Sequence, residues 1–497
     1  MALMGLDIGT TGVKATVFDE DGRILSYAYG EYDIINDGDH YEISPVLLWQ
    51  ATKEVIGRAY REAGGATVQA LCTSSLGEAF VMLDKDGREL ANSPIYMDKR
   101  GEAECAELTA KLGAEEIMKA TGHPPHPMYS VYKLMWFARN NPALLKQTYR
   151  ILLYGDYVLH KLGGQYLADY SLSSRTMCFD VSAKRWSAEI LDAAGIDPGI
   201  FPETAHTGTV AGEILPSVAD EIGVNRGIKL VLGAHDQIMA AIGAGVTRPG
   251  QAVNGIGTVD CITPLFKGLR LDAQMLNSGY ASVPYLFEDT YVTYAFNMTG
   301  GSLLKWFRDT FAARDKEIAR LNGAEVYELL DAELPSDPTG LFVVPHFAGS
   351  PVPNPDIHGK GAIINLTFGT KRGEIYRACM EGEAYEMRHN LEALEKVGIT
   401  VDELRTVGGG SRSREWLQIR ADIFGKTIVS MECEEAGTLG TAMLAGVASG
   451  CYSSITEAAD ALVKAKAYYY PNERNHQFYT EQYGKYRKLY DLLKAVR

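Results

Sequence analysis

Two short turns carry residue types suited to a polyphosphate: Gly9-Thr10-Thr11-Gly12 near the amino terminus, and Gly257-Thr258 near the midpoint. Small residues at a tip let backbone N–H groups and hydroxyls face anionic oxygens. Each turn is flanked by apolar, β-prone residues, Val13 to Phe18 after the first and Val259 to Thr263 after the second, so each is predicted to cap a hairpin. Taken singly, either is equally an ordinary hairpin. Their repetition half a chain apart predicts a duplicated architecture with a nucleotide between two lobes. Asp7 sits inside the apolar run Met4 to Ile8, where an unpartnered carboxylate would cost several kcal/mol. It is therefore expected to meet a cation or ligand, and magnesium carried by phosphates fits because it takes few carboxylates and many waters.

Asp236 is the strongest general-base candidate. It follows the apolar run Lys229 to Ala234 and precedes a small-residue helical stretch, Ile238 to Ala244, so it is placed at the carboxyl end of a strand, where α/β folds bind ligands. Its alternative reading is a helix N-cap. Thr73 to Ala79, with Gly77 and Glu78, follows another strand and offers hydroxyls and one carboxylate to sugar hydroxyls; a surface glutamate is the alternative. Asp98-Lys99-Arg100 reads as a solvated charge cluster. His123 and His126 lie in a proline-rigid loop without a further ligand at metal spacing. Gly408-Gly409-Gly410 marks a place where backbone approaches a flat ligand closely. No Gly-x-x-x-x-Gly-Lys-Ser/Thr loop or His-Arg-Asp catalytic loop occurs, so P-loop and protein-kinase chemistries are unsupported.

The elements that must position these groups are legible in outline. Strand-rich α/β structure is expected over the first ~75 residues, with a helix at Leu47 to Glu62 and a strand at Val68 to Thr73. A hairpin is expected at Ala79 to Leu90, and helices dominate Gly101 to Lys161. Pro249-Gly250 is the expected boundary between lobes. Beyond it, Gly300-Gly301 opens a helix, Leu341 to Pro345 is a strand, Gly373 to Lys396 is a long helix, and Leu404 to Val407 is a strand. Thr438 to Val447 is a helix, and Tyr479, Tyr483, Tyr486 and Tyr490 form a core-packing helix face.

The chain of 497 residues exceeds what one hydrophobic core usually organises. With 46% hydrophobic and 22% charged residues it has the composition of a folded soluble protein, and no 18-residue apolar run offers a membrane span. The amino terminus lacks a secretory pattern, so the cytoplasm is expected. Seven scattered cysteines without a Cys-x-x-Cys pair support neither a disulfide framework nor a structural zinc site. A net charge of −15 argues against nucleic-acid or anionic-membrane partners.

Taken in order, these segments resemble the FGGY family of carbohydrate kinases, within the actin-like ATPase superfamily. The matching pieces are Asp7 to Lys14, Tyr96 to Arg100, Asp169 to Met177, Gly233 to Gln237, Gly257-Thr258, Gly300-Gly301 with Lys305-Trp306, Gly408 to Trp416, and Glu435 to Ala442. The resemblance implies an α/β fold of two ribonuclease-H-like (actin-like ATPase) lobes with an interlobe cleft. Residues 1–248 would form the amino-terminal sugar-binding lobe and 249–497 the carboxyl-terminal nucleotide-binding lobe. It implies ATP and Mg2+ as cofactors, Asp236 as catalytic base, and Asp7 with Asp236 at the metal. Thr10, Thr11 and Lys14 would face the transferred phosphate, with Gly257 and Thr258 opposite. Gly300, Gly301, Lys305, Gly409, Gly410 and Ser413 would line the nucleotide, and Gly77, Glu78, Met128, Tyr129, Asp236 and Gln237 the sugar.

The family's glycerol kinases carry Arg-Glu where this chain has Gly77-Glu78, and an aromatic residue at Met128, which makes glycerol a poor fit. Xylulose kinases usually show Met-His at the first pair. A glycine at 77 is expected to leave volume and, with Asp260 and Cys261 after the phosphate turn, to suit a larger or differently substituted ketose or polyol. The expected activity is ATP-dependent phosphorylation of a terminal hydroxyl of a small sugar, foremost a xylulose-like pentulose, with a polyol or aldonic acid as the alternative. A non-catalytic sugar- and nucleotide-binding regulator is the rival from another class, an actin-like filament protein fares worse, and a homodimer stays open.

Overall fold

The computed structural model describes residues 1–350, 352, 353, 356 and 358–495. The first sheet has six strands: β1 (Ala2–Ile8), β2 (Gly12–Asp19), β3 (Ile24–Glu31), β4 (Val68–Ser75), β5 (Val210–Glu213) and β6 (Lys229–His235), in the order β5-β6-β4-β1-β2-β3. β1, β2 and β3 run antiparallel, as two tight turns in succession dictate, whereas β4 and β6 join parallel to β1 after helical crossovers. Helices pack on the sheet, so its central strands β1, β4 and β6 are buried almost throughout, while β3 and β5 at its edges are partly exposed. One of these helices, α1 (Pro45–Glu62), starts where Ser44 accepts a hydrogen bond from the Leu47 N–H and Pro45 fixes the first helical position.

The second sheet repeats the pattern. β7 (Gln251–Ile256) and β8 (Asp260–Lys267) form the midpoint hairpin, joined on one side by β9 (Val283–Pro284), β10 (Thr290–Val292) and β11 (Ala295–Asn297). On the other side β12 (Glu403–Val407) and β13 (Thr427–Met431) run parallel to β7, and β14 (Ala465–Tyr469) closes the sheet antiparallel. Both predicted hairpins therefore exist, and both lobes have an antiparallel meander followed by parallel strands. Among the described residues no helix is long and apolar enough to cross a membrane.

Four further helices bear on the site: α2 (Asp236–Gly243), α3 (Gly301–Phe311), α4 (Arg372–Lys396) and α5 (Arg414–Phe424). A fifth, α6 (Ala436–Ser449), belongs in sequence to the second half but packs on β1, β4 and α2 of the first. Glycine makes that crossing possible: a Cβ at Gly243 would stand 1.8 Å from the Ala436 carbonyl oxygen, and one at Gly440 would stand 2.2 Å from that of Met239.

Three expectations need correction. The turn after Leu83 forms, but only Phe80–Leu83 is a full strand, and its partner is Arg150–Leu153; Glu89 contributes a single bridge. Asp98 and Arg100 are buried rather than solvated, because Arg100 also reaches Glu42 at 2.6 Å and the guanidinium is thereby shared by two acids. Tyr479, Tyr483 and Tyr486 pack on Tyr385 as a helix face should, whereas Tyr490 follows a break at Arg487-Lys488 and stands on the next short helix.

Candidate active site

Strand register assembles the acidic groups. Asp7 lies opposite Ser74 of β4, whose neighbour Ser75 lies opposite His235 of β6. The carboxyl ends of the three parallel strands thus share one edge, and Asp236 follows as the first residue of α2. His235 occupies the cap position, so the N-cap reading of Asp236 does not hold. The Ser74 hydroxyl donates to Asp7 Oδ1 at 2.8 Å. A cavity of about 420 Å³ brings together Asp7, Lys14, Asp236, Gln237, Gly409 and Arg412.

Asp236 Oδ1 has no hydrogen-bond partner. The side chain is 41% open to the cleft, but protein surrounds that cleft, and desolvation pushes the carboxyl up to about 6. Burial, then repulsion from Asp236, pushes Asp7 up to about 6 as well, against the Ser74 hydrogen bond and Lys14. Burial and the neighbouring Arg175 push His235 down to about 3. The imidazole next to Asp236 is therefore neutral near pH 7, and its Nδ1 lies 3.2 Å from the Tyr294 hydroxyl. A base works in its ionised form, so kcat/KM is expected to fall as pH drops through about 6, and to recover on the alkaline side. A pH–rate profile checks this; a flat profile between pH 5 and pH 8 would remove Asp236 from the role.

The first turn is fixed by Tyr32, whose hydroxyl donates to the carbonyls of Gly9 and Gly12 and whose N–H donates to that of Thr11. Thr10 is half-buried and Thr11 exposed. Lys14 Nζ pairs with Glu435 Oε2 at 3.1 Å. Burial opposes its charge, but Glu435 and Asp7 more than offset this and hold the ammonium above its usual range. In the second lobe the exposed Gly257 and Thr258 form the tip between β7 and β8. The N–H groups of Gly300, Gly301 and Ser302 donate to the carbonyls of Thr258, Gly257 and Thr258. Gly300 and Gly301 thus dock the tip and have no free N–H to offer a nucleotide. Lys305 is exposed on α3. Gly409 reaches the cavity, whereas a Cβ at Gly410 would strike Ile256, and Ser413 caps α5 and approaches Asp331 at 3.3 Å.

Next to Asp236, the space beside Gly77 is filled. A Cβ there would lie 2.9 Å from His235 and 3.1 Å from Arg175 Nε, which corrects the expectation of open volume. The buried Glu78 adopts φ +62°, sparsely populated for a residue with a side chain, and its carbonyl accepts from the Ser130 hydroxyl at 2.5 Å. Its carboxylate pairs with the Arg175 guanidinium, which lies over the rings of Tyr129 at 5.3 Å and Tyr294 at 5.5 Å. Tyr129 in turn meets His123 Nδ1 at 3.1 Å, and Met128 is half-buried beside it. Asp260 does not face this pocket; it is fully buried and paired with Arg420. Arg175, His235 and Glu435 lie in segments matched from sequence but were given no role there, and Tyr294 lies outside those segments: each matters through partners brought in by folding.

Two lobes with duplicated sheets around an acidic cleft define the actin-like ATPase class of fold. The family profiles agree along the chain: the amino-terminal domain of the FGGY family of carbohydrate kinases matches residues 2–243, and the carboxyl-terminal domain matches residues 256–449. The protein belongs to that family and is a carbohydrate kinase, with ATP as phosphate donor. It is 27% identical to the xylulose kinase of Bacillus subtilis (strain 168), covering 99% of this chain and 96% of that one. It is 28% identical to the gluconokinase of Bacillus licheniformis, covering 93% and 90%. A crystal structure of a xyloylose kinase from Brucella ovis superposes with a TM-score of 0.87 at 26% identity, covering both chains fully.

Proposed function

We propose that the protein transfers the γ-phosphoryl group of ATP to a terminal hydroxyl of a small neutral ketose of the xylulose-like pentulose class. The observation that carries this reading is the position of Asp236. It shares a cavity with Asp7 and Lys14 on the phosphate side, and stands close enough to Arg175, on the sugar side, for that charge to act on its carboxyl. In this reading Pro249-Gly250 divides the sugar-binding and nucleotide-binding lobes. Asp236 accepts the hydroxyl proton as the sugar oxygen bonds to the γ-phosphorus and the bond to the ADP oxygen breaks. The transition state is loose, so an ordinary carboxylate suffices. Lys14, released from Glu435, and the two Gly-Thr turns hold the transferring group, and closure of the cleft excludes water.

Asp7 and Asp236 repel one another across the same cavity, and one oxygen is unpartnered. That donor set fits a magnesium ion held mainly by phosphates and water. Among the described residues no group of three or more His, Cys, Asp or Glu could hold a metal ion. Magnesium bound with ATP would neutralise charge on the transferring phosphoryl group.

A ketose is favoured over an acid because the Arg175 charge is already matched by Glu78. An aldonic acid or polyol is the second reading, supported by the gluconokinase relative. The test is ADP release with Mg-ATP over ketopentoses, ketohexoses, deoxy sugars, aldonic acids and polyols. A ketopentose is expected to give the highest kcat/KM. A dominant response to an acid or polyol would move the assignment to the second reading, and ATP binding without ADP release across the panel would favour a regulator.

A further inference from the structure

We infer that Arg420, fully buried and outside the cavity that holds Asp7 and Asp236, is a positioning residue for the second phosphate turn; the inference rests on the reading of Gly257-Thr258 as that turn. Arg420 lies on α5 and is fully buried. Its Nη1 donates to Asp260 Oδ2 and to Glu383 Oε2, both at 2.5 Å, and its Nη2 donates to Asn254 Oδ1 at 2.8 Å. Asn254 Nδ2 donates to Asp260 Oδ1 at 2.6 Å and to the Cys261 carbonyl at 3.2 Å. Asn254 lies on β7 before the turn and Asp260 on β8 just after it, so one guanidinium ties both shoulders of the hairpin to α5 and, through Glu383, to α4.

The same tip is held from the other side by the N–H groups of Gly300, Gly301 and Ser302. A Cβ at Gly300 would stand 2.8 Å from the backbone of Val259, so the α3 end and the turn are in direct backbone contact. The tip is exposed, whereas Asn254, Asp260, Glu383 and Arg420 behind it are fully buried.

Stability alone does not account for this arrangement. A buried cation with two buried acids gains little over an apolar plug of the same volume. What it supplies is direction: the planar fork of an arginine fixes several acceptors at once, which a lysine point charge cannot do. Burial drives the Glu383 carboxyl well above the usual range, and the Arg420 charge opposes this.

The test compares binding of ATP and AMP, because only ATP reaches the turn with its terminal phosphates. In Arg420→Lys and Arg420→Met the preference for ATP over AMP is expected to fall about tenfold or more, and kcat about 10²-fold, as for a misplacement of roughly 1 Å. AMP affinity and sugar affinity should stay as in the parent, which a general loosening of the fold would not allow. Should the single variants fail to fold, Arg420→Met combined with Asp260→Asn and Glu383→Gln removes all three ionisable side chains together and carries the same comparison. Folded variants that keep the parent's ATP preference overturn the inference. A parent protein that binds ATP and AMP alike overturns the phosphate-turn reading itself, and the inference with it.

Discussion

Asp236→Asn is expected to lower kcat about 10²- to 10⁴-fold, the usual worth of a positioned general base, while sugar and ATP still bind. The asparagine keeps the shape of the side chain and its place at the first position of α2, so the strand edge that holds Asp7, Ser74 and His235 should persist. What disappears is an acceptor for the sugar proton. His235, its Nδ1 3.4 Å from Asp236 Oδ1, does not replace it, because burial and Arg175 hold it so weakly basic that it is a poor proton acceptor. Steady-state kinetics beside calorimetric titration of each ligand separates the two effects. Turnover within a few-fold of the parent would show that Asp236 is not the base.

The second large effect is expected at Asp7, and it has opposite signs for activity and stability. Asp7→Asn should lower kcat/KM about 10²-fold or more, by analogy with removing one group that stabilises transition-state charge. It should also stabilise the ligand-free protein. In the folded protein the carboxyl is pushed up to about 6, against 3.8 for a free aspartate, so the folded protein binds a proton more readily than the unfolded chain does. The stability linked to Asp7 is thus fullest at low pH and lost as pH rises through about 6. At pH 7.5 the ligand-free variant is expected to melt about 2–4 °C above the parent, the shift that roughly 1 kcal/mol gives in a domain of moderate size. At pH 5 the gap should narrow. A variant less stable than the parent at pH 7.5 would contradict this account of Asp7.

The two hairpins, the strand ahead of Asp236 and the helix at 436–449 were legible because each is written locally: a turn of small residues between β-prone runs, or a glycine-spaced apolar helix. Asp7 stood out for a similar reason, as a charge in an apolar strand. The substrate side was not legible in this way. Gly77 says nothing about what occupies the space its missing side chain leaves, and the occupant, Arg175, comes from another element. Asp260 follows the phosphate turn and reads as a pocket residue, but Arg420, 160 positions away, draws it into the core. Asp98 and Arg100 reach the interior through Glu42. Charged residues are assigned to the surface by default, and only a partner that folding supplies reverses that assignment.

The glycine contacts between α2 and α6 have a mechanical consequence. Where Gly243 meets Ala436 and Gly440 meets Met239 there is backbone on both sides and no side chain between. Prying the helices apart would strip cover from apolar surfaces on both, whereas rolling one over the other leaves most of that cover in place. The junction is therefore expected to behave as a bearing rather than a clasp: the two sides of the cleft would turn on two bare lengths of backbone, with Asp236 mounted at the very end of the axle.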